Sequence, residues 1–187
     1  PAMKSNINVR IKNTFNPPQP GTLITSKPEK SDMIVKAVLL VKDVAMISVR
    51  GASMVGRPGT VAKILETLAR ENINVMMISQ SVSESSVSIV IKRDALPRAL
   101  NKLETALLGT GLVEDIESED DVNVVAVIGE RMKGTPGVAS KVFGAVAKRG
   151  INIRMIAQGS SELNISFVVK EEDGYEAVRA IHEEYGL

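Results

Sequence analysis

Gly51-Ala-Ser-Met-Val-Gly56-Arg-Pro-Gly59 and Gly129-Glu-Arg-Met-Lys-Gly134-Thr-Pro-Gly137 are one phrase written twice, and reading them together decides the fold. Around them, residues 44–109 and 122–187 align without a gap at a constant offset of 78. Val44 falls on Val122, Ile73-Asn74 on Ile151-Asn152, Gln80 on Gln158, and Ser83-Glu84 on Ser161-Glu162. About 20 of the 66 aligned positions are identical, far beyond chance for an ungapped pairing. One folding unit was duplicated.

Upstream of the first phrase, Ala45, Ile47 and Val49 alternate with Met46, Ser48 and Arg50, the period of a strand with one face on a core. Downstream, Pro58 stands at a helix start, where its missing N–H costs nothing. Val61, Ile64, Leu65 and Leu68 then recur at helical spacing until Asn72 closes the helix. A second strand over 75–80 and a polar turn over 81–86 follow. Val87, Ile89 and Ile91 mark a third strand, Ala99, Leu100, Leu103 and Leu107 a second helix, and residues 112–117 a fourth strand. The unit reads βαββαβ.

The second copy repeats the pattern with Val125 and Val127, then Ala139, Val142, Phe143 and Val146 on a helix, strands over 153–158 and at Ile165, Phe167 and Val169, and a helix over 175–185. It has no fourth strand of its own. Val35, Ala37, Leu39 and Val41, ahead of the first copy, alternate like an unclaimed strand. Because an unpaired sheet edge is a liability, residues 34–41 are expected to complete the second sheet, which makes the first unit an insertion within the second. The fold class is therefore α+β: two ferredoxin-like βαββαβ units, each with both helices on one face of a four-stranded sheet. In that strand order the strand after the first helix lies at an edge. Two such edges meeting would form a continuous sheet between units, with a ligand seam bounded by residues 74–80 and 152–158.

Composition bounds the chemistry. In 187 residues each copy is small enough to lean on its neighbour or on a second chain. Lys+Arg 23 against Asp+Glu 22 lacks the charge footprint of a nucleic-acid binder. The absence of Cys and a single His exclude disulfides, thiolate chemistry, Cys-based zinc sites and Cys/His dyads. Lys36 and Lys42 interrupt the most apolar stretch, 34–49, so no membrane span is expected. Without a signal peptide the expected location is the cytoplasm. A start at Pro1 rather than Met reads as a cut fragment.

The glycine phrase has the spacing of a phosphate loop, but Lys133 precedes the second glycine where that motif needs it to follow. A strand running through a glycine turn into a helix also presents free backbone N–H groups and a helix dipole, which suit a carboxylate. The alternative is a turn that needs glycine only for positive φ. Asn74, Asn152, Gln80 and Gln158 offer the amide groups that a free amino acid would use, or are simply turn and strand-end residues. Ser83-Glu84 and Ser161-Glu162 have no partner for acid–base chemistry, so no catalytic and no metal-binding residues are assigned. His182 is expected to face solvent, and Met76, Met77 and Met155 to fill core or interface gaps. The RNA-recognition plan shares this topology but stacks bases on aromatics, and here Phe167 is the sole aromatic of the corresponding strands.

The βαββαβ unit with its Gly-x-Pro-Gly helix start and Ile-Asn-Val/Ile strand entry resembles the ACT domain, a module that binds amino acids and regulates metabolic enzymes. Tandem copies reading Val75-Met-Met-Ile-Ser-Gln-Ser-Val-Ser-Glu and Ile153-Arg-Met-Ile-Ala-Gln-Gly-Ser-Ser-Glu resemble the C-terminal regulatory half of aspartate kinases. Val9-Arg-Ile-Lys-Asn-Thr-Phe-Asn-Pro17 and Gly21-Thr-Leu-Ile24 are similar to the segment by which those enzymes leave the kinase domain.

The resemblance implies a division into residues 1–32 (tail of a missing kinase domain, and linker), 44–118 (first ACT domain) and 34–41 plus 122–187 (second). It implies an allosteric sensor, threonine favoured over lysine, for end-product inhibition of ATP-dependent aspartate phosphorylation. It also implies a homodimer or higher oligomer through the ACT sheets. ATP and magnesium would belong to the missing kinase domain, with no cofactor here. Its effector residues fall on Met54, Val55, Gly56, Arg57, Pro58, Gly59, Thr60, Asn74, Val75, Gln80, Ser83 and Glu84. In the second copy they fall on Met132, Gly134, Pro136, Gly137, Asn152, Ile153, Gln158, Ser161 and Glu162. Glu84 or Glu162 would suit a lysine ε-ammonium, Gln80 or Gln158 a threonine hydroxyl. Residues 24–34 are expected to carry the signal, and Ile7, Val9 and Ile11 to be the last strand of an otherwise missing sheet. A non-sensing oligomerisation scaffold, or an ACT module of another amino-acid enzyme, is the alternative.

Overall fold

The computed structural model describes residues 2–25 and 33–187, in two compact units, Pro1–Asp32 and Met33–Leu187. In the first, β1 (Val9–Ile11) and β2 (Thr22–Ile24) form an antiparallel pair with Val9 opposite Ile24 and Ile11 opposite Thr22. Both strands are exposed along their whole length. The expected strand thus has its partner within its own segment, and Ile7 lies outside it. Of the expected signal-carrying segment, 26–32 lie outside the described residues.

The second unit runs β3 (Ala37–Arg50), α1 (Thr60–Arg70), β4 (Met77–Gln80), β5 (Ser86–Lys92), α2 (Leu96–Leu107), β6 (Asp115–Ile128), α3 (Val138–Lys148), β7 (Met155–Gln158), β8 (Asn164–Lys170) and α4 (Gly174–Tyr185). The sheet order is β4-β5-β3-β6-β8-β7, antiparallel throughout. Four expected strands are really two. Residues 34–41 and 45–49 merge into β3, which begins at Ala37, and 112–117 and 125–127 merge into β6. The polar residues at 42–43 and 117–121 look like breaks in the sequence. In the fold, Asp43 adopts φ 56 within a register shift between Val41 and Val44, and the strand bends there without ending. The edge strands are shorter than expected, starting at Met77 and Met155.

Each long strand serves both halves of this one sheet. The second half of β3 pairs with β5 and with Asp115–Glu119 of β6, while Ala37–Val41 pairs with Val124–Ile128. The equivalent residues Val44 and Val122 face each other at the centre. Gly51 and Gly129 occupy matching places beside the incoming strands. Gly51 lies under Leu112, and a Cβ on Gly129 would stand 2.0 Å from the Ile34 carbonyl oxygen. Ile34 and Leu112 are themselves at equivalent positions, and Val35 matches Val113, so the duplication begins ten residues upstream of Val44 and Val122. Each copy lends its leading strand to the other.

Three apolar clusters follow from strand alternation. Ile47, Ile89, Ile64, Leu68 and Leu103 fill the first, under α1 and α2. Phe167, Val125, Val142, Val146 and Ile181 fill the second, under α3 and α4. The third, with Val44, Met46, Met77, Val90, Val122, Val124, Met155 and Val168, lies on the helix-free face. It draws on all six strands, so the bent sheet packs one half against the other. Met77 and Met155 are buried there, while Met76 is exposed. The two halves are also tied by Arg93 to Glu171 at 2.7 Å, a pair made between equivalent positions of the two copies.

Within the chain, β4 and β7 stand at opposite ends of the hydrogen-bonded order, so the two edges do not pair into a continuous sheet as the sequence led one to expect; the bend brings the two strands near each other, with Met77 and Met155 in the third cluster. Continuity between the halves runs through β3 and β6 instead. Both edge strands keep an open side, each with an exposed isoleucine, Ile78 and Ile156.

Candidate functional site

Both glycine phrases fold alike. After Gly51 and Gly129 a single 3-10 turn, Ala52–Met54 or Glu130–Met132, buries its methionine. The chain then passes Gly56 (φ 63) or Gly134 (φ 67) and Gly59 (φ 89) or Gly137 (φ 84). These left-handed positions favour glycine. Gly59 and Gly137 are the N-caps of α1 and α3, and neither helix has a side-chain cap. The backbone donors of the first helical turn therefore have no side-chain cap beside the loop.

A carboxylate holds each loop from the opposite turn. Gly56 donates its N–H to Glu84 Oε2 at 2.7 Å, and Gly134 donates to Glu162 Oε2 at 2.8 Å. Glu84 and Glu162 both have left-handed backbones, φ 55 and 56, which brings the side chains round. Sequence reasoning had offered these carboxylates to a lysine ammonium, and the structure engages each with a loop amide. Glu84→Ala or Glu162→Ala is expected to speed hydrogen exchange at the Gly56 or Gly134 amide about three- to tenfold, the worth of one hydrogen bond. Unchanged exchange would show that the carboxylates do not fix the loops.

The other expected residues take matching places. Val55, Arg57 and Pro58 are exposed on the first loop and Pro136 on the second, while Thr60 is buried and donates its hydroxyl to the Arg57 carbonyl at 3.1 Å. Asn74 and Asn152 are exposed but precede β4 and β7 rather than opening them. Val75 and Ile153 are half-buried beside them. Gln80 and Gln158 end those strands, exposed at the open edges. Ser83 and Ser161 are exposed in the turns that carry Glu84 and Glu162, and Ser83 lies in a hydroxyl chain with Ser81 and Ser85.

A second polar place, on the helix-free face, was missed. Met46, Ser48, Arg50, Ser86, Ser88, Glu119, Asn152, Ile153 and Arg154 line a cleft of about 310 Å³ between the two half-sheets. Ser48 and Ser88 share a hydrogen bond at 3.0 Å. Arg50 pairs with Glu117 and Arg154 with Glu119, both at 2.7 Å. The hydrogen bond to Glu119, and then its charge, hold the Arg154 guanidinium above its ordinary range. The neighbouring Lys170–Asp121 hydrogen bond raises the ammonium and lowers the carboxyl. The signal that could have found the cleft is the alignment itself, which sets Ser48 against Ala126, Arg50 against Ile128, Glu119 against Val41 and Arg154 against Met76.

Among the described residues no group of three or more His, Asp or Glu side chains is placed to hold a metal ion, and no helix is long and apolar enough to cross a membrane. Residues 47–107 and 125–185 match the ACT domain family. The full chain is 39% identical to the chloroplastic bifunctional aspartokinase/homoserine dehydrogenase 1 of Arabidopsis thaliana, and spans 21% of that protein's length. E. coli aspartokinase III, solved in complex with lysine and aspartate, has a TM-score of 0.78 at 29% identity, with 98% of this chain and 40% of that one covered. The ligand-free regulatory subunit of aspartate kinase from Thermus thermophilus has a TM-score of 0.72 at 34% identity, with 81% of this chain and 99% of that one covered. A chain that matches a solved regulatory subunit almost end to end, and carries its domain twice, belongs to the ACT domain family as the regulatory region of an aspartate kinase.

Proposed function

We propose that this chain senses a free amino acid, threonine in preference to lysine, and relays its presence as end-product inhibition of ATP-dependent aspartate phosphorylation. The observation that carries this reading is the duplicated loop, fixed through Gly56 and Glu84 in one copy and Gly134 and Glu162 in the other, beside a strand whose edge is open. The uncapped helix starts supply donors for an effector carboxylate. With both glutamates engaged by loop amides, Gln80 and Gln158 are the side-chain amides at the open edges, and they suit a hydroxyl better than an ammonium. E. coli aspartokinase III has been solved in complex with lysine and aspartate, which supports amino-acid recognition by this class of region.

In this reading the edges of β4 and β7 pair with those of another chain, since a half-sheet with an open apolar-lined edge is a template for a further strand. The effector sits at the resulting seam. It acts by binding one arrangement of the units better than another, because equal affinity for both would shift nothing. ATP, magnesium and aspartate belong to a kinase domain outside these 187 residues.

The test is calorimetric titration of the chain with L-threonine, L-lysine and L-methionine, before and after Gln80→Ala. Heat with threonine, and an affinity about tenfold lower in the variant, is expected from the loss of a hydrogen-bond partner. No heat with any of the three would leave an oligomerisation scaffold as the better account.

A further inference from the structure

The two copies descend from one unit, yet the face between them is apolar on one side and charged on the other. Where one side of the seam presents Val41, Met76, Ala126 and Ile128, the equivalent positions on its other side are Glu119, Arg154, Ser48 and Arg50, each side drawing on both halves. Polar groups at a packed face give up the hydrophobic stabilisation that apolar partners would supply, and ion pairs there are rarely better than well-packed hydrocarbon. The polar side lines the 310 Å³ cleft.

We infer that this cleft is a further ligand site, taking a small carboxylic acid of amino-acid size. Its volume is at the lower end of ligand pockets and equals on the order of ten waters. Arg50 and Arg154 each carry five N–H donors in a planar fork, and their pairing with Glu117 and Glu119 leaves donors for a third carboxylate. Each guanidinium is balanced by one carboxylate, Arg50 by Glu117 and Arg154 by Glu119, so a bound anion would be held by directed N–H donors rather than by net charge. The Ser48–Ser88 hydroxyl pair supplies a donor and an acceptor for the ligand's other end. The inference does not depend on the glycine loops, although Asn152 and Ile153 border both places.

The isotopically labelled 187-residue chain is titrated by NMR with succinate, L-aspartate and L-threonine, which separates dicarboxylates from amino acids. The expected result is a saturable shift, with at least one probe, of the Arg50 and Arg154 side-chain Nε–H and the Ser48 and Ser88 amide signals. Two variants copy the apolar side that the fold already accommodates: Arg50→Ile, and Arg154→Met combined with Glu119→Val. Each is expected to weaken that binding about tenfold or more, the worth of a hydrogen bond to a charged group. Gln80→Ala with Gln158→Ala is expected to leave it unchanged. The inference is overturned if no probe gives a saturable shift, if affinity survives both variants, or if the glutamine variant abolishes the shift.

Discussion

Phe167→Ala is expected to be the most damaging single truncation of the second half, costing about 4 kcal/mol within the range seen for buried aromatics cut to alanine. Phe167 is fully buried on β8, among Val125, Val142, Val146 and Ile181. Its ring meets Phe143 of α3 edge-on, 5.8 Å between centroids with the planes at 80°, an arrangement that adds about 0.5–1.5 kcal/mol beyond area burial. The alanine would leave a cavity that β8, held by β6 on one side and β7 on the other, cannot collapse into. For a chain of this size the loss corresponds to a fall in Tm of about 8–16 °C. Phe15, 97% exposed, is the control. Calorimetric unfolding that left Phe167→Ala within about 2 °C of the parent would contradict the assigned core.

Gly129→Ala should come next, at about 3 kcal/mol, in the upper range of overpacking costs. The backbone at Gly129 is extended, so its φ is open to any residue and the demand is for space. The added methyl would stand 2.0 Å from the Ile34 carbonyl oxygen and 2.9 Å from Val35 Cα, both backbone atoms with no rotamer to change. The strand entering at Ala37 would have to move, although Lys36 is anchored by its N–H to the Ile128 carbonyl at 2.7 Å. Gly51→Ala meets the Leu112 oxygen at 2.8 Å and should cost less. Equal melting of the two variants, or no change in either, would show that the incoming strand does not press on these glycines.

The helices and inner strands were legible because their signals are local. Ile64 and Leu68, or Val87 and Ile89, declare period and face without help from distant residues. The long strands were illegible as units because Lys42, Asp43, Asp120 and Asp121 imitate loop composition. In the fold these residues sit where each strand leaves one half-sheet for the other, and all four are exposed to solvent, with Asp121 tied to Lys170 and Lys42 to the Tyr175 hydroxyl. The site was legible as residue types but not as roles. Glu84 and Glu162 could be found by their repetition, whereas their grip on Gly56 and Gly134 depends on a left-handed turn that glutamate rarely adopts. The polar cleft was illegible for a different reason: Arg154 lies just ahead of β7 and Glu119 on β6, and only the packing of the half-sheets joins them.

The loan of a leading strand from each copy to the other fixes how the protein must be assembled. Ala37–Val41 emerges first in the repeat body but finds its ladder only when Val124–Ile128 has been made, more than a whole copy later. Such distant pairing gives high contact order and slow closure, and keeps an apolar strand waiting through most of synthesis. Neither copy is a self-sufficient folding domain. Severed between α2 and β6, each piece would keep a strand shaped for its sibling, so the smallest complete form of this fold is a pair of copies, joined here by a single chain.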